Sequence, residues 1–114
     1  MTTPTLDTFT AAYIECALWS TCDMPPEATV DDIAPETLAR MVADCREFQE
    51  IHIDDILPNL ELAGHDFWLT REGHGAGFWD GDWTDAVGKR LTAASKAYGS
   101  FNLYVGDDGK VHGS

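Results

Sequence analysis

One long segment between two prolines constrains the fold of this chain most. Proline at the first turn of a helix costs no hydrogen bond, and a helix tends to end before the residue that precedes the next proline. Pro35 and Pro58 therefore predict a helix from Pro35 to Ile56. At 100° per residue from Glu36, seven of its apolar residues fall between about 120° and 260°. These are Leu38, Met41, Val42, Cys45, Phe48, Ile53 and Ile56.

The opposite side of this predicted helix is acidic. On the same wheel its carboxylates fall between about −40° and 80°, with Asp55 at their margin. Asp44, Glu47, Glu50 and Asp54 follow one another at steps of three, three and four residues. These steps place successive carboxylates roughly 4.5 to 6 Å apart along the axis, which is comparable to the phosphate repeat of one nucleic-acid strand. The candidate partner-binding residues are these carboxylates and those just before the helix: Asp31, Asp32, Glu36, Asp44, Glu47, Glu50, Asp54 and Asp55.

The acidity of the chain is located in its first part. The 114 residues include 20 acidic and seven basic side chains, for a formal net charge of −13. Residues 1–66 hold 14 acidic and two basic side chains, whereas residues 67–114 hold six and five, so the formal charges are −12 and −1. Such a field repels phosphate, which disfavours direct binding to nucleic acid or to an anionic membrane and favours a basic protein partner.

The remaining segments predict further helices and two hairpins. Thr5 or Asp7 caps a first helix to about Ser20, whose apolar residues cover most of its circumference and predict burial on more than one side. Short aromatic runs at 67–70 and 77–79 predict a hairpin around a glycine-rich turn. Asp82 or Thr84 caps a third helix that Gly99 ends. Residues 101–105 and 110–112 predict a second hairpin around a turn at 106–109. Together these elements predict a single α+β domain over residues 1–114, with a small, mainly antiparallel sheet.

Four segments resemble a family of small acidic bacteriophage proteins without assigned function. They are the residues 33–39 (IAPETLA), 64–71 (GHDFWLTR), 74–80 (HGAGFWD) and 104–110 (YVGDDGK). The resemblance extends over nearly the whole chain, and the aromatic and glycine-rich segment is its most specific part. It implies a viral origin and a place in the cytoplasm of the host bacterium, and it implies no catalytic residues.

Enzymatic and ligand-binding alternatives have weaker signals. A metal site for a small hydrolase would be built on His65, Asp66, His74 and Asp80, but these residues fit neither an HExxH motif nor a calcium loop. Asp82 and Asp85 are further candidate ligands for such a metal. The glycines at 73–77 lack a complete phosphate-binding motif, so a turn is the better interpretation and no cofactor is predicted. The aromatic residues that a nucleic-acid strand would stack on are better explained as core and as interface anchors: Phe67, Trp68, Phe78, Trp79 and Trp83.

The three cysteines give information about the cellular compartment of the protein. Cys16, Cys22 and Cys45 cannot all pair, so no disulfide framework is predicted, and Cys16 and Cys45 are expected to be small buried residues. The first residues lack the basic start and apolar run of a signal peptide, and no stretch has the length of a membrane span. We therefore expect an intracellular protein.

Charge and helix spacing together predict an acidic interaction protein, and the resemblance implies that a phage encodes it. It would mimic DNA and occupy the basic site of a host protein of restriction, CRISPR, repair or the nucleoid. The alternatives are the metal-dependent hydrolase and a structural phage protein whose acidic face serves solubility only.

Overall fold

The structure, a computed structural model, describes residues 6–21, 24–73, 77–79 and 83–114. Within these residues there are four helices and one two-stranded antiparallel sheet, which confirms the α+β class. The elements are α1 (Thr8–Ser20), α2 (Pro35–Ile56), α3 (Leu60–Glu72), α4 (Asp85–Lys96), β1 (Leu103–Val105) and β2 (Val111–Gly113), with 3-10 turns at Val30–Asp32 and Leu57–Asn59. None of the described helices is both long enough and apolar enough to cross a membrane.

α1 begins at the predicted cap. The carboxylate of Asp7 accepts a hydrogen bond from the N–H of Thr10 at 2.7 Å, which satisfies one of the unpaired donors of the first turn. The prediction that the helix is buried on more than one side is confirmed for most of its apolar residues. It is wrong for Trp19, whose side chain is 85% exposed. Trp19 continues an exposed row through Ala11 and Glu15 at a spacing of four residues, so it lies on the outer side of α1.

α2 has the predicted bounds. Pro35 occupies its first turn, and the helix ends at Ile56 before a 3-10 turn that contains Pro58. The regular backbone is broken at His52, where φ is −116° and ψ is 15°. The prediction that Ile53 is buried is wrong, since its side chain is 39% exposed. Ile53 follows the break at His52, which changes the direction of the side chains after it.

The prediction of a first hairpin is wrong, because its first run of aromatic residues lies in the helix α3. Asn59 caps this helix by accepting the N–H of Leu62 at 3.1 Å, and Gly73 ends it with φ at 73°, in the left-handed region that glycine tolerates. The aromatic run Phe67–Trp68 that indicated a strand is buried on this helix. A short apolar run buried on several sides has the same appearance in a strand and in a helix, so the pattern does not distinguish them.

The last helix and the hairpin that follows it agree with the predictions. Thr84 caps α4 by accepting the N–H of Val87 at 3.4 Å, and Gly99 follows the end of the helix. β1 and β2 form the predicted hairpin, with Tyr104 opposite His112. The hairpin is attached to the start of α2, because the N–H of Ala34 donates to the Val111 carbonyl at 2.8 Å.

Aromatic rings from three helices meet in the core. Phe9 of α1, Phe48 of α2 and Phe67 of α3 are fully buried, and the Phe48 and Phe67 rings stack with their centroids 4.2 Å apart. Phe101, just before the hairpin, belongs to the same continuous cluster. One core therefore serves helices and hairpin together.

Candidate functional site

The first predicted acidic residues lie in the turn that leads into α2. Asp31 and Asp32 are both exposed in the 3-10 turn Val30–Asp32. The carboxylate of Asp32 accepts the backbone N–H of Thr29 at 2.8 Å, so it caps this turn as well as presenting charge.

Glu36 extends this acidic end of α2 towards the hairpin. Its exposed carboxylate lies 4.0 Å from Nδ1 of His112, whose Nε2 contacts the two carboxylate oxygens of Asp108 at 3.0 and 3.1 Å. A hydrogen bond from the backbone N–H of Lys110 lowers the pKa of Asp108 below its usual value, and the contact with His112 contributes less to the same shift. Two carboxylates therefore share one histidine at this surface.

Asp44 does not lie on an open face. Its carboxylate accepts a hydrogen bond from Nη1 of Arg71 at 2.9 Å, and the side chains of Arg71 and Asp44 are 2% and 24% exposed. The sequence pattern placed Arg71 in a hairpin turn, whereas the structure places it in the core. An internal ion pair thus neutralises the charge at Asp44, which limits its value as a substitute for phosphate.

Glu47 and Asp55 are also engaged. The hydroxyl of Tyr98 donates to Oε1 of Glu47 at 2.7 Å, and burial together with this carboxylate raises the pKa of Tyr98. Arg90 of α4 donates twice to Asp55, at 2.9 and 2.7 Å, and these hydrogen bonds hold the pKa of Asp55 below its usual value. Glu47 remains exposed, whereas Asp55 is half-buried.

Glu50 and Asp54 remain open to solvent. Neither carboxylate forms an ion pair or hydrogen bond with another residue of the described ranges. Two large apolar side chains accompany them: Ile51 is 65% exposed and Leu57 is 62% exposed. We call these four residues, Glu50, Ile51, Asp54 and Leu57, the α2 patch.

The eight predicted residues do not converge on one point. α2 has 22 residues and is therefore about 33 Å long, and the candidates are spread from the turn before it to its last turn. Asp31, Asp32 and Glu36 form one end, and Glu50 and Asp54 form the other. The arrangement suits an elongated contact surface, whereas a small-molecule site would need converging groups.

The side chains of the α2 patch were partly foreseeable from the sequence. Ile51 falls at about 60° on the helical wheel, inside the acidic sector, so the pattern contained this signal. Leu57 lies beyond the last residue of α2, where the wheel does not apply. Its exposure follows from the 3-10 turn.

The predicted metal site is not assembled in the described residues. His65 is half-buried, and the buried carboxylate of Asp66 accepts the Nε1–H of Trp83 at 2.7 Å. Asp85 is exposed in the first turn of α4. His74, Asp80 and Asp82 lie outside the described residues, and within those residues no three metal-ligating side chains are grouped.

Two cysteines are buried thiols, as predicted. Burial raises the pKa of Cys16 to about 11 and raises that of Cys45 as well. A thiol with a raised pKa is a poor nucleophile at neutral pH, so these side chains act as small apolar groups. Cys22 lies outside the described residues.

The aromatic residues divide between core and surface. Phe67, Trp68 and Phe78 are buried, Trp83 is half-buried and Trp79 is 53% exposed. Three of the five aromatic residues are therefore core, as expected, and Trp79 is an exposed one. Of the glycine-rich stretch at 73–77, the positions 74–76 lie outside the described residues.

An apolar groove is the second surface feature. It has a volume of about 650 Å³ and lies between the outer side of α1 and residues 24–30, with Ile14, Leu18, Trp19 and Met24 among its lining. Among the residues that the structure describes, its acidic lining residue is Glu15. The groove thus differs from the α2 patch in carrying little charge.

Comparisons with known proteins give no match. No family model, no curated protein and no solved structure is significantly similar to this sequence. Arguments about function therefore depend on the surfaces described above.

Proposed function

We propose that this chain is a phage-encoded acidic interaction protein that acts in the host bacterial cytoplasm. It mimics DNA and inhibits a host nucleic-acid-binding or DNA-processing protein, of restriction, CRISPR, repair or the nucleoid, by occupying its basic site. The observation that carries the proposal is the row of exposed carboxylates on α2 and its leading turn, at Asp31, Glu36, Glu47, Glu50 and Asp54. A basic groove that binds phosphates is attracted by such a row.

The distribution of the basic side chains supports the same proposal. Arg71 is buried with Asp44, and Arg90 is paired with Asp55. Neither of these cations offsets the open carboxylates at Glu50 and Asp54. Of the two cations on α2 itself, Arg40 lies over the Phe101 ring, and neither Arg40 nor Arg46 forms an ion pair with a carboxylate of α2 in the described residues. A face meant only for solubility usually pairs opposite charges one turn apart, because such pairs stabilise a helix.

Displacement of DNA from a basic protein tests this proposal. A short labelled duplex is bound to a purified basic nucleoid, restriction or repair protein of the host, and this chain is added as competitor. We expect the wild-type chain to displace the duplex at about 0.05 M salt. Its direct binding to the same host protein, measured without DNA, should weaken strongly at about 0.3 M, because screening weakens attraction between charges.

Two triple variants of equal net charge provide the matched comparison. The test variant neutralises exposed carboxylates of α2: Glu36→Gln, Glu50→Gln and Asp54→Asn. The control variant neutralises exposed carboxylates elsewhere: Glu15→Gln, Glu27→Gln and Asp107→Asn. We expect the test variant to lose at least about tenfold in competition and the control to keep most of it. Equal loss in both variants, or no displacement of any host protein, would contradict the proposal.

A further inference from the structure

We infer that the α2 patch is a docking surface for a cationic amphipathic helix of the partner protein. This inference depends on the proposed function, since it specifies the chemistry of the partner at the same surface. Its starting observation is that Ile51 and Leu57 are 65% and 62% exposed beside the open carboxylates of Glu50 and Asp54. Exposed apolar groups surrounded by charge are typical of protein interfaces, in which an apolar centre lies inside a polar rim.

A polar ring lies inward beside two exposed isoleucines. His52 is half-buried and its ring lies 4.6 Å from the Phe48 ring, whereas its two neighbours, Ile51 and Ile53, are exposed. On the helical wheel His52 falls at about 160°, among the apolar positions, and Ile51 at about 60°, among the acidic ones. Ile51 is therefore an apolar side chain on the acidic face of α2.

The length of the patch suits an elongated occupant. Ile51 and Leu57 are six residues apart, so an occupant that contacts both extends along the end of α2. An amphipathic helix presents apolar side chains over several turns together with charged ones. Glu50 and Asp54 belong to the same stretch and meet the cations of that helix.

The charge of the patch selects among possible occupants. Glu50 and Asp54 lack a cationic partner among the described residues, so the occupant supplies Lys or Arg. A second copy of this chain would bring carboxylates against carboxylates on molecules of net charge −13. Nucleic acid is repelled for the same reason and offers no apolar stripe. A basic amphipathic segment satisfies both features of the patch.

Two synthetic peptides test the inference on the full chain. One peptide is a cationic helix with a leucine stripe, and the other has the same composition in an order that has no stripe. Binding of each peptide is measured by fluorescence anisotropy. We expect the striped peptide to bind at least about tenfold more tightly, since only it contacts Ile51 and Leu57 while keeping its charges paired.

A double variant isolates the apolar contribution. Ile51→Ser with Leu57→Ser removes the exposed apolar groups and no charge, and we expect it to lower the affinity for the striped peptide about tenfold. The control is Tyr104→Ser with Val105→Ser, which removes exposed apolar groups from the hairpin, 52% and 42% exposed. We expect the control to bind like wild type.

The outcomes separate this inference from the proposed function. Equal binding of the two peptides, or an unaffected double variant, would overturn the docking surface. Loss of duplex displacement in the carboxylate variant would still support the acidic mimic in that case. Conversely, stripe-dependent binding without displacement of DNA from any host protein would support the docking surface and contradict the mimic.

Discussion

Arg71→Met is expected to lower the free energy of unfolding by about 3–5 kcal/mol, because it leaves a buried network without its cation. The guanidinium donates to Asp44 at 2.9 Å, to the Tyr13 hydroxyl at 3.0 Å and to the backbone carbonyls of Tyr98 and Gly99 at 3.3 and 2.9 Å. It thereby connects α1, α2, α3 and the segment after α4. Total stabilities of domains this size are about 5–15 kcal/mol, so the loss is severe.

Urea unfolding followed by circular dichroism measures this effect. Tyr13→Phe removes one hydrogen bond of the network and should cost only about 1 kcal/mol. Lys89→Ala, on the exposed side of α4, should stay within about 0.5 kcal/mol of wild type. A value for Arg71→Met as small as that of Lys89→Ala would show that Asp44 is not held by an essential internal pair, and would return Asp44 to the interaction surface.

Gly64→Ala is expected to destabilise the protein by about 1–3 kcal/mol through overpacking between α1 and α3. A Cβ at this position would overlap the carbonyl oxygen of Phe9 and lie 3.0 Å from the Cβ of Ala12. Both neighbours belong to α1, and the Phe9 contact is backbone, so the two helices must separate to admit the methyl group.

The sign of the change makes this a sharp test. In an open helix the same substitution would stabilise by about 1 kcal/mol, because alanine favours helix more than glycine does. Thermal and urea unfolding of Gly64→Ala report the sign, with Glu61→Gln in the first turn of α3 as a surface control. A stabilised Gly64→Ala would contradict the close packing of α1 on α3.

Local signals account for much of the fold. Pro35 and Pro58 bound α2, Asp7 and Thr84 are each one of two predicted caps, and the glycines at 106–109 mark the hairpin. Each of these depends on the conformational preferences of one or two residues. α3 escapes prediction because its aromatic run is buried on several sides, a condition that depends on packing and not on local preference.

The candidate surface is predictable only in part. The wheel separates apolar from acidic positions, and this identifies Glu50 and Asp54. It does not show that Arg71, far along the chain, reaches Asp44, or that Arg90 reaches Asp55, because such pairs form only in the folded structure. The break at His52, after which Ile53 is exposed although the wheel places it among the apolar positions, is likewise a property of the assembled helix.

The most direct test of the central claim is a residue-resolved map of the bound surface. Nitrogen-15-labelled protein is titrated with the striped cationic peptide, and amide shifts are followed by NMR. The account predicts that the largest shifts lie on α2 and the turn after it, from Glu47 to Leu57. Largest shifts around the groove at Trp19, with α2 unperturbed, would contradict it.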